Sequence, residues 1–324
     1  MGNNPIIREY ENGDESHILE LFRIVFKRDL GEEFWRWRYI DNPFGKGIIR
    51  LMFDGEKLIG HYAVIPIPLS ILGKTIKAAF SMTTMTHPDY QGRGIFTSLA
   101  SDVYRHCREM GIGVVFGFPN QNSYYGFTEK LGWLGLGNVT SLDAERSLRP
   151  MGSSGDYLCL QVSDFDGALD MLWERVKDTY KIIVPRDSTY LNWRYCEDPE
   201  NEYTVYILRD NNESVQGYIV LKIFNDGKTR VGHIVDIIAA EGEQAVKELL
   251  NTAHTYFQEN DVDRLSSWIP RDSYIYTILK ELGYREKIWN TYFGVKSLCD
   301  DDMVNRILEK KENWWLTMGD SDVF

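Results

Sequence analysis

The sequence predicts an α/β protein built of two similar domains, each pairing a sheet with helices. Three observations carry this. Short apolar runs are separated by turn dipeptides, as at Asp54-Gly55 between 48–53 and 58–66. A strand, a glycine turn and an amphipathic helix follow one another from Phe80 to Tyr104. And Trp37-Arg38-Tyr39-Ile40-Asp41-Asn42-Pro43 returns as Trp193-Arg194-Tyr195-Cys196-Glu197-Asp198-Pro199. A chain of 324 residues has room for two domains of ordinary size.

Taken in order, 6–10 reads as a first strand. Asp14 or Ser16 caps a helix whose Ile18, Leu21, Phe22 and Val25 share one face. An aromatic helix at 34–39 stops at Asn42-Pro43. Strands at 48–53 and 58–66 meet at Asp54-Gly55, a hairpin signal, and a second hairpin turns at Leu72-Gly73-Lys74. The extended run from Phe80 breaks at Pro88 and turns at Gln91-Gly92-Arg93-Gly94. Ile95, Leu99, Val103 and Tyr104 then mark one face of a helix at 95–110. Residues 113–118 read as a buried strand and 123–131 as a short helix that Gly132 ends, before Trp133 opens another strand.

The glycine turn is suited to an anion. A helix start offers backbone N–H groups without intrahelical partners, and the helix dipole adds positive potential there. Gly92 and Gly94 let the backbone approach without a Cβ in the way. A P-loop would need Gly-Lys-Ser/Thr, which is absent, and a dinucleotide fingerprint would need glycine where Thr97 stands. Gln91-Gly92-Arg93-Gly94-Ile95-Phe96 instead resembles the Gln/Arg-x-x-Gly-x-Gly/Ala acetyl-CoA loop of the GNAT superfamily of N-acetyltransferases, departing from it at Phe96. A second match follows in order: Asn120, then a helix closing on Thr128-Glu129-Lys130-Leu131-Gly132-Trp133, where the family ends Tyr-x-Lys-x-Gly-Phe. The alternative is an ordinary strand–helix turn with two glycines.

The resemblance implies two tandem GNAT-like domains, each a mixed, mostly antiparallel sheet flanked by helices, with limits 1–147 and 155–297 and a C-terminal helix and tail over 298–324. It is weaker in the second half. There Ala239-Ala240-Glu241-Gly242-Glu243-Gln244 replaces the glycine turn, and its glutamates suit the helix dipole but repel a pyrophosphate. The second domain is therefore expected not to bind CoA but to pack on the first and wall the acceptor site.

What the resemblance implies for chemistry is an acyl-CoA-dependent N-acyltransferase, acetyl-CoA as donor, a small-molecule amine as acceptor and no metal. Met85 and Thr86 would meet the thioester and pantetheine. Gln91, Gly92, Arg93, Gly94, Ile95, Phe96 and Thr97 would hold the diphosphate, and Asn120 and Ser123 the pantetheine arm. The family's proton donor falls on Thr128, a poor acid, which leaves Tyr124, preferred, and Tyr125. For the base the candidates are Asp320, Asp322, the carboxylate of Phe324, His61 and His87, or water; relatives of the enhanced-intracellular-survival type use a C-terminal carboxylate. Trp35, Trp37, Trp314 and Trp315 read as core first and as pocket walls second. A CoA-binding sensor without turnover is the main competing expectation, and an aminoacyl-tRNA-dependent peptidoglycan enzyme a further one.

Composition bounds the partners. A formal charge of −12 and a pI of about 5.1 speak against a nucleic-acid backbone and suit a cationic acceptor. Four scattered cysteines without a Cys-x-x-Cys pair argue for reduced thiols and a cytoplasmic location, and against a zinc site. No apolar run reaches membrane-spanning length, so no membrane partner is expected.

Overall fold

The computed structural model describes residues 4–145, 155–240 and 242–324. In chain order these form β1 (Ile6–Glu9), α1 (Glu15–Phe26), α2 (Glu32–Tyr39), β2 (Ile48–Asp54), β3 (Lys57–Ile71), β4 (Lys74–Thr86), α3 (Ile95–Glu109), β5 (Val114–Gly117), α4 (Gln121–Tyr125) and β6 (Leu134–Glu145). Then follow β7 (Tyr157–Val162), α5 (Gly167–Val176), β8 (Ile182–Ile183), α6 (Ser188–Leu191), β9 (Thr204–Asp210), β10 (Val215–Asn225) and β11 (Arg230–Ala239). The chain closes with α7 (Glu243–Glu259), β12 (Arg264–Ser267), α8 (Tyr274–Glu281), β13 (Arg285–Ser297) and α9 (Asp302–Leu308).

The chain groups into two compact units. One takes residues up to Leu69, Ile76–Gly137 and Thr291–Glu309; the other takes Ser70–Thr75, Asn138–Asn290 and Lys310–Phe324. In the first unit β1, β2 and β3 are neighbours, antiparallel in both pairs, β4 follows β3, and β5 lies parallel to β4. The strand beside β5 is the later part of β13, with Gly294 opposite Gly117. In the second unit β7, β9, β10 and β11 run antiparallel, β12 lies parallel to β11, and residues 142–145 of β6 pair with β12. Each unit is thus a mixed, mostly antiparallel sheet with one parallel pair spanned by a helix, α3 or α7. A parallel pair requires such a crossover.

Local chemistry explains most boundaries. Asp54 and Gly55 close the β2–β3 hairpin, with Gly55 at φ +60°. Asp14 precedes α1, but its carboxylate is taken by Arg8 (2.6 and 2.7 Å) and by the Glu11 N–H (2.8 Å). The expected helix at 123–131 is α4 followed by a π-turn over Gly126–Lys130, closed by Leu131 N–H to the Gly126 carbonyl at 3.1 Å. The last helix, expected within 298–324, is α9 and ends at Leu308, and Lys310 is extended.

α3 lays Ile95, Leu99, Val103 and Cys107 on the first unit's sheet among Ile59, Val64 and Val115. Gly60 lies beneath it: a Cβ there would come within 2.9 Å of Leu99. Gly217 repeats this under α7, 2.9 Å from Leu249. Trp35, Trp37, Trp314 and Trp315 are all buried, as core residues.

The second unit is pinned by a buried charge cluster. Arg186 donates to Asp236 (2.8 Å) and, through two bonds, to Asp320 (2.9 and 2.8 Å). Tyr195 and Tyr218 also donate to Asp236, and Thr317 donates its N–H to Asp320 at 2.8 Å. Arg194 donates to the main-chain oxygens of Gly319 (3.0 Å) and Phe324 (2.6 Å). Residues 314–324 are thereby tied down by charges that have no water to fall back on.

Two predictions follow from this burial. Removing one partner of a buried ion pair strands the other, so Asp320→Ala should cost about 3–5 kcal/mol in urea unfolding followed by tryptophan fluorescence; a loss below about 1 kcal/mol would contradict the cluster's role. Burial also pushes the rings of His61, His233 and His254 down to about 4 from an ordinary 6.5. A group whose folded pKa is depressed in this way favours folding only while neutral. Stability should be full above pH 6.5 and fall as pH drops toward 4, by up to about 1.4 kcal/mol per pH unit per histidine. The fall should be shallower in His61→Gln, and stability flat across that window would refute neutral burial.

Candidate active site

β4 outlasts its partner. Its pairing with β5 ends at Ser81 opposite Gly117, yet β4 runs on to Thr86. Gly117 is required there, because a Cβ would come within 2.9 Å of the Ser81 carbonyl. Past that point the strand bends: Thr83 has φ +50°, a left-handed value unusual for a branched residue. His61 on β3 fixes the bend, its Nδ1 2.8 Å from the Thr83 carbonyl oxygen. Because that acceptor needs a hydrogen, Nδ1 carries the proton. Below the split a chain of buried hydroxyls joins Ser81, Tyr62, Tyr104 and the indole of Trp133, each step 2.8 Å.

The glycine turn follows. His87 takes the Asp89 N–H at 3.3 Å and so shapes the turn at Pro88. Gly92 and Gly94 have φ of +75° and +77°, and nothing lies within 4 Å of a Cβ at Gly92. Gly94 caps α3 without a side-chain bond, and the first helix-closing bond runs from Ser98 N–H to Gly94 at 3.0 Å. The amides of Ile95, Phe96 and Thr97 precede it and have no intrahelical acceptor. Gln91 to Gly94 are exposed. Arg93 is folded back, donating to the Asp89 carbonyl (3.0 Å) and lying over Tyr90 (4.8 Å).

Phe96, the departure from the resemblance, does not cover this turn. Its ring enters the core edge-on to Phe127 (4.9 Å) and near Tyr62 (6.0 Å). Gly126 makes the room, since a Cβ there would approach the ring to 2.7 Å. The sequence carried that signal as an unexplained glycine inside a helix.

The other candidates divide. Asn120 caps α4, accepting from the N–H groups of Asn122 (3.0 Å) and Ser123 (3.1 Å), and the Ser123 hydroxyl turns back on it. Tyr124 is half-buried, stacks on Tyr292 at 4.1 Å and sets its hydroxyl against Gly135. That hydroxyl makes no hydrogen bond among the described residues. Tyr125 is 62% exposed. Thr128 gives its hydroxyl to the Tyr124 carbonyl at 3.0 Å. Met85 is buried and Thr86 half-buried, both on the free end of β4.

The proposed bases are otherwise engaged. Asp320 is held by Arg186, and burial leads in pushing its carboxyl up against that partner's pull. The main-chain oxygen of Phe324 is held by Arg194, and its ring packs against His233 and Trp268 in the second unit. At α7, Gly242 is the cap residue and Glu243 sits in the first turn, 2.9 Å from Lys247; Glu241 lies outside the described residues. Among the described residues no group of His, Cys, Asp and Glu is arranged to hold a metal, and no helix is long and apolar enough to cross a membrane.

Several solved structures share this fold. A probable N-acyltransferase of unknown function from Enterococcus faecalis superposes with a TM-score of 0.72 at 13% identity, over 91% of this chain and 73% of its own. A GCN5-related N-acetyltransferase from Anabaena variabilis gives 0.72 at 14%, with the same coverage. One from Kribbella flavida gives 0.68 at 14%, over 91% and 71%. No curated protein matches the sequence. The model of the acetyltransferase (GNAT) domain matches residues 6–134. The match takes in the free end of β4, the glycine turn, α3 and the tyrosine helix. The chain is thus similar to the GNAT acetyltransferase family over these residues.

Proposed function

We propose that the protein is an N-acetyltransferase that moves an acetyl group from acetyl-CoA to a primary amine of a small molecule. The observation that carries this is the juxtaposition at the end of β4: a strand freed from its neighbour leading straight into a helix start whose amides are open. The residues present fit the donor. The amides from Arg93 to Thr97, with the α3 dipole, suit a diphosphate, and Gly92 and Gly94 leave its approach clear. The backbone of Met85 and Thr86 would align the pantetheine and polarise the thioester carbonyl, with Gln91, Phe96, Asn120 and Ser123 bordering the donor.

The chemistry asked of the chain is modest. The amine nitrogen bonds to the carbonyl carbon, charge gathers on the oxygen, and the C–S bond then breaks. Backbone N–H groups aimed at that oxygen lower the barrier because they need no reorganisation. The departing thiolate takes a proton, for which Tyr124 is the better placed candidate, its hydroxyl unengaged and its ring fixed on Tyr292. The attacking amine's proton passes to water. Phe324 is the weaker candidate for that step, because Arg194 already holds its main-chain oxygen at 2.6 Å. The net charge of −12 favours a cationic acceptor such as an amino sugar or polyamine.

We infer further that domains 1–147 and 155–297 descend from one duplicated unit. The matched strand order, the paired glycines Gly60 and Gly217, and the repeated Trp-Arg-Tyr segment support this. Only the first keeps the open turn. The competing reading, a CoA-binding protein without turnover, rests on Thr128 standing where the family has its acid.

Two variants test the proposal. Gly94→Glu should abolish acetyl-CoA binding in calorimetry by setting a carboxylate at the diphosphate; unchanged affinity would refute the loop assignment. Tyr124→Phe should lower thiol release with an amine panel by about 10²-fold while leaving acetyl-CoA affinity unchanged. A loss at Tyr125→Phe instead would move the role to that residue, and no thiol release by the unaltered protein with any amine would favour the sensor.

A further inference from the structure

The second unit contains a pocket of about 260 Å³ lined by none of the residues proposed to hold acetyl-CoA. It opens over the start of β11, the end of β10, β12 and the early part of β13. One side is aromatic: the rings of Trp289 and Phe324 lie 5.6 Å apart at 52°, and Phe224, also in the lining, is 51% exposed. Apolar walls with a few fixed polar groups are the usual make-up of a small-molecule site.

The polar lining is unevenly spent. Asp143 takes the Ser266 hydroxyl at 2.7 Å and faces Lys287 at 4.0 Å. Asp226 caps its own turn, accepting from the N–H groups of Lys228 and Thr229, both at 2.8 Å. The Arg264 guanidinium, exposed at the start of β12, makes no hydrogen bond or close ion pair among the described residues, and its charge adds to those turn N–H groups in holding the Asp226 carboxyl below its ordinary range. Lys222 donates to Asn201 at 2.7 Å, and burial pulls its ammonium down to about 8. His233 is only 6% exposed, and its Nδ1 has no hydrogen-bond partner. Leaving a buried polar group unmet is unfavourable, so this ring is a standing offer to a ligand. Once the carboxylates are matched, the charge left over is positive.

We propose that this pocket binds a small, flat, ring-bearing molecule with one anionic group, its ring against Trp289 and Phe324 and its charge toward Arg264. The neutral His233 ring meets a polar atom of that molecule. The site uses none of the residues assigned to acetyl-CoA, so it stands whether or not that assignment does.

The test is calorimetry on the full chain with three probes of one ring system: indole-3-acetate, indole-3-ethanol and tryptamine. Indole-3-acetate should bind saturably, one per chain, and tighter than tryptamine by about tenfold or more. Arg264→Gln, a change at an exposed position, should weaken indole-3-acetate by about tenfold, and Arg264→Glu by more, with the melting temperature unchanged. Acetyl-CoA affinity is measured on the same samples, so the two sites are judged separately. Tryptamine binding as tightly as the acid, an affinity indifferent to Arg264, or no binding by any of the three up to millimolar concentration would each overturn the proposal.

Discussion

Where β5 stops at Gly117, β4 still has five residues to run, from Met82 to Thr86, and the main-chain groups on its bared side must be met by something other than a strand. That constraint organises the first unit. The bend at Thr83 and its anchor on His61 hold the free stretch open, and the hydroxyl chain from Ser81 to Trp133 fixes the point where the strands part. The glycine turn then delivers the chain into α3 with its first amides uncommitted. Under the proposed function, a ligand with a peptide-like arm and a diphosphate would satisfy both sets of groups at once.

The second unit repeats the scaffold and spends it differently. Beyond the last β11–β12 pair, at Ile234 and Ser267, stands Asp236, fully buried and joined to Arg186, Thr317, Tyr195 and Tyr218. The matching stretch of β4 carries Thr83, whose carbonyl is engaged by His61. The same topology thus supports an open strand end in one copy and a sealed charge cluster in the other. Sequence similarity between the halves says little about shared activity; which groups are left unpaired says more.

Much of this was legible in the residues and some was not. Asp54-Gly55 declared its hairpin, and Gly92 and Gly94 declared a turn needing positive φ before a helix. Those signals are local, and local signals survive in a single sequence. Gly126 inside a helix signalled that something packs closely there, but that its partner is Phe96 was not readable, because the contact joins two elements that only the fold brings together. Nor was the strand beside β5: adjacency suggests β6, yet 294–297 take that place, and pairing is decided by register and packing rather than by any residue in the run. Asp320 looked like a free acid near the end of the sequence. Its partner Arg186 lies far away along the chain, and without that partner a structural carboxylate and a catalytic one look alike.

Amide hydrogen exchange with and without acetyl-CoA measures the central claim most directly. The account predicts protection of peptides covering 82–98, the free end of β4 and the start of α3, and unchanged exchange at the start of α7. Protection at Gly242–Gln244 with none at Gly94–Thr97 would contradict it.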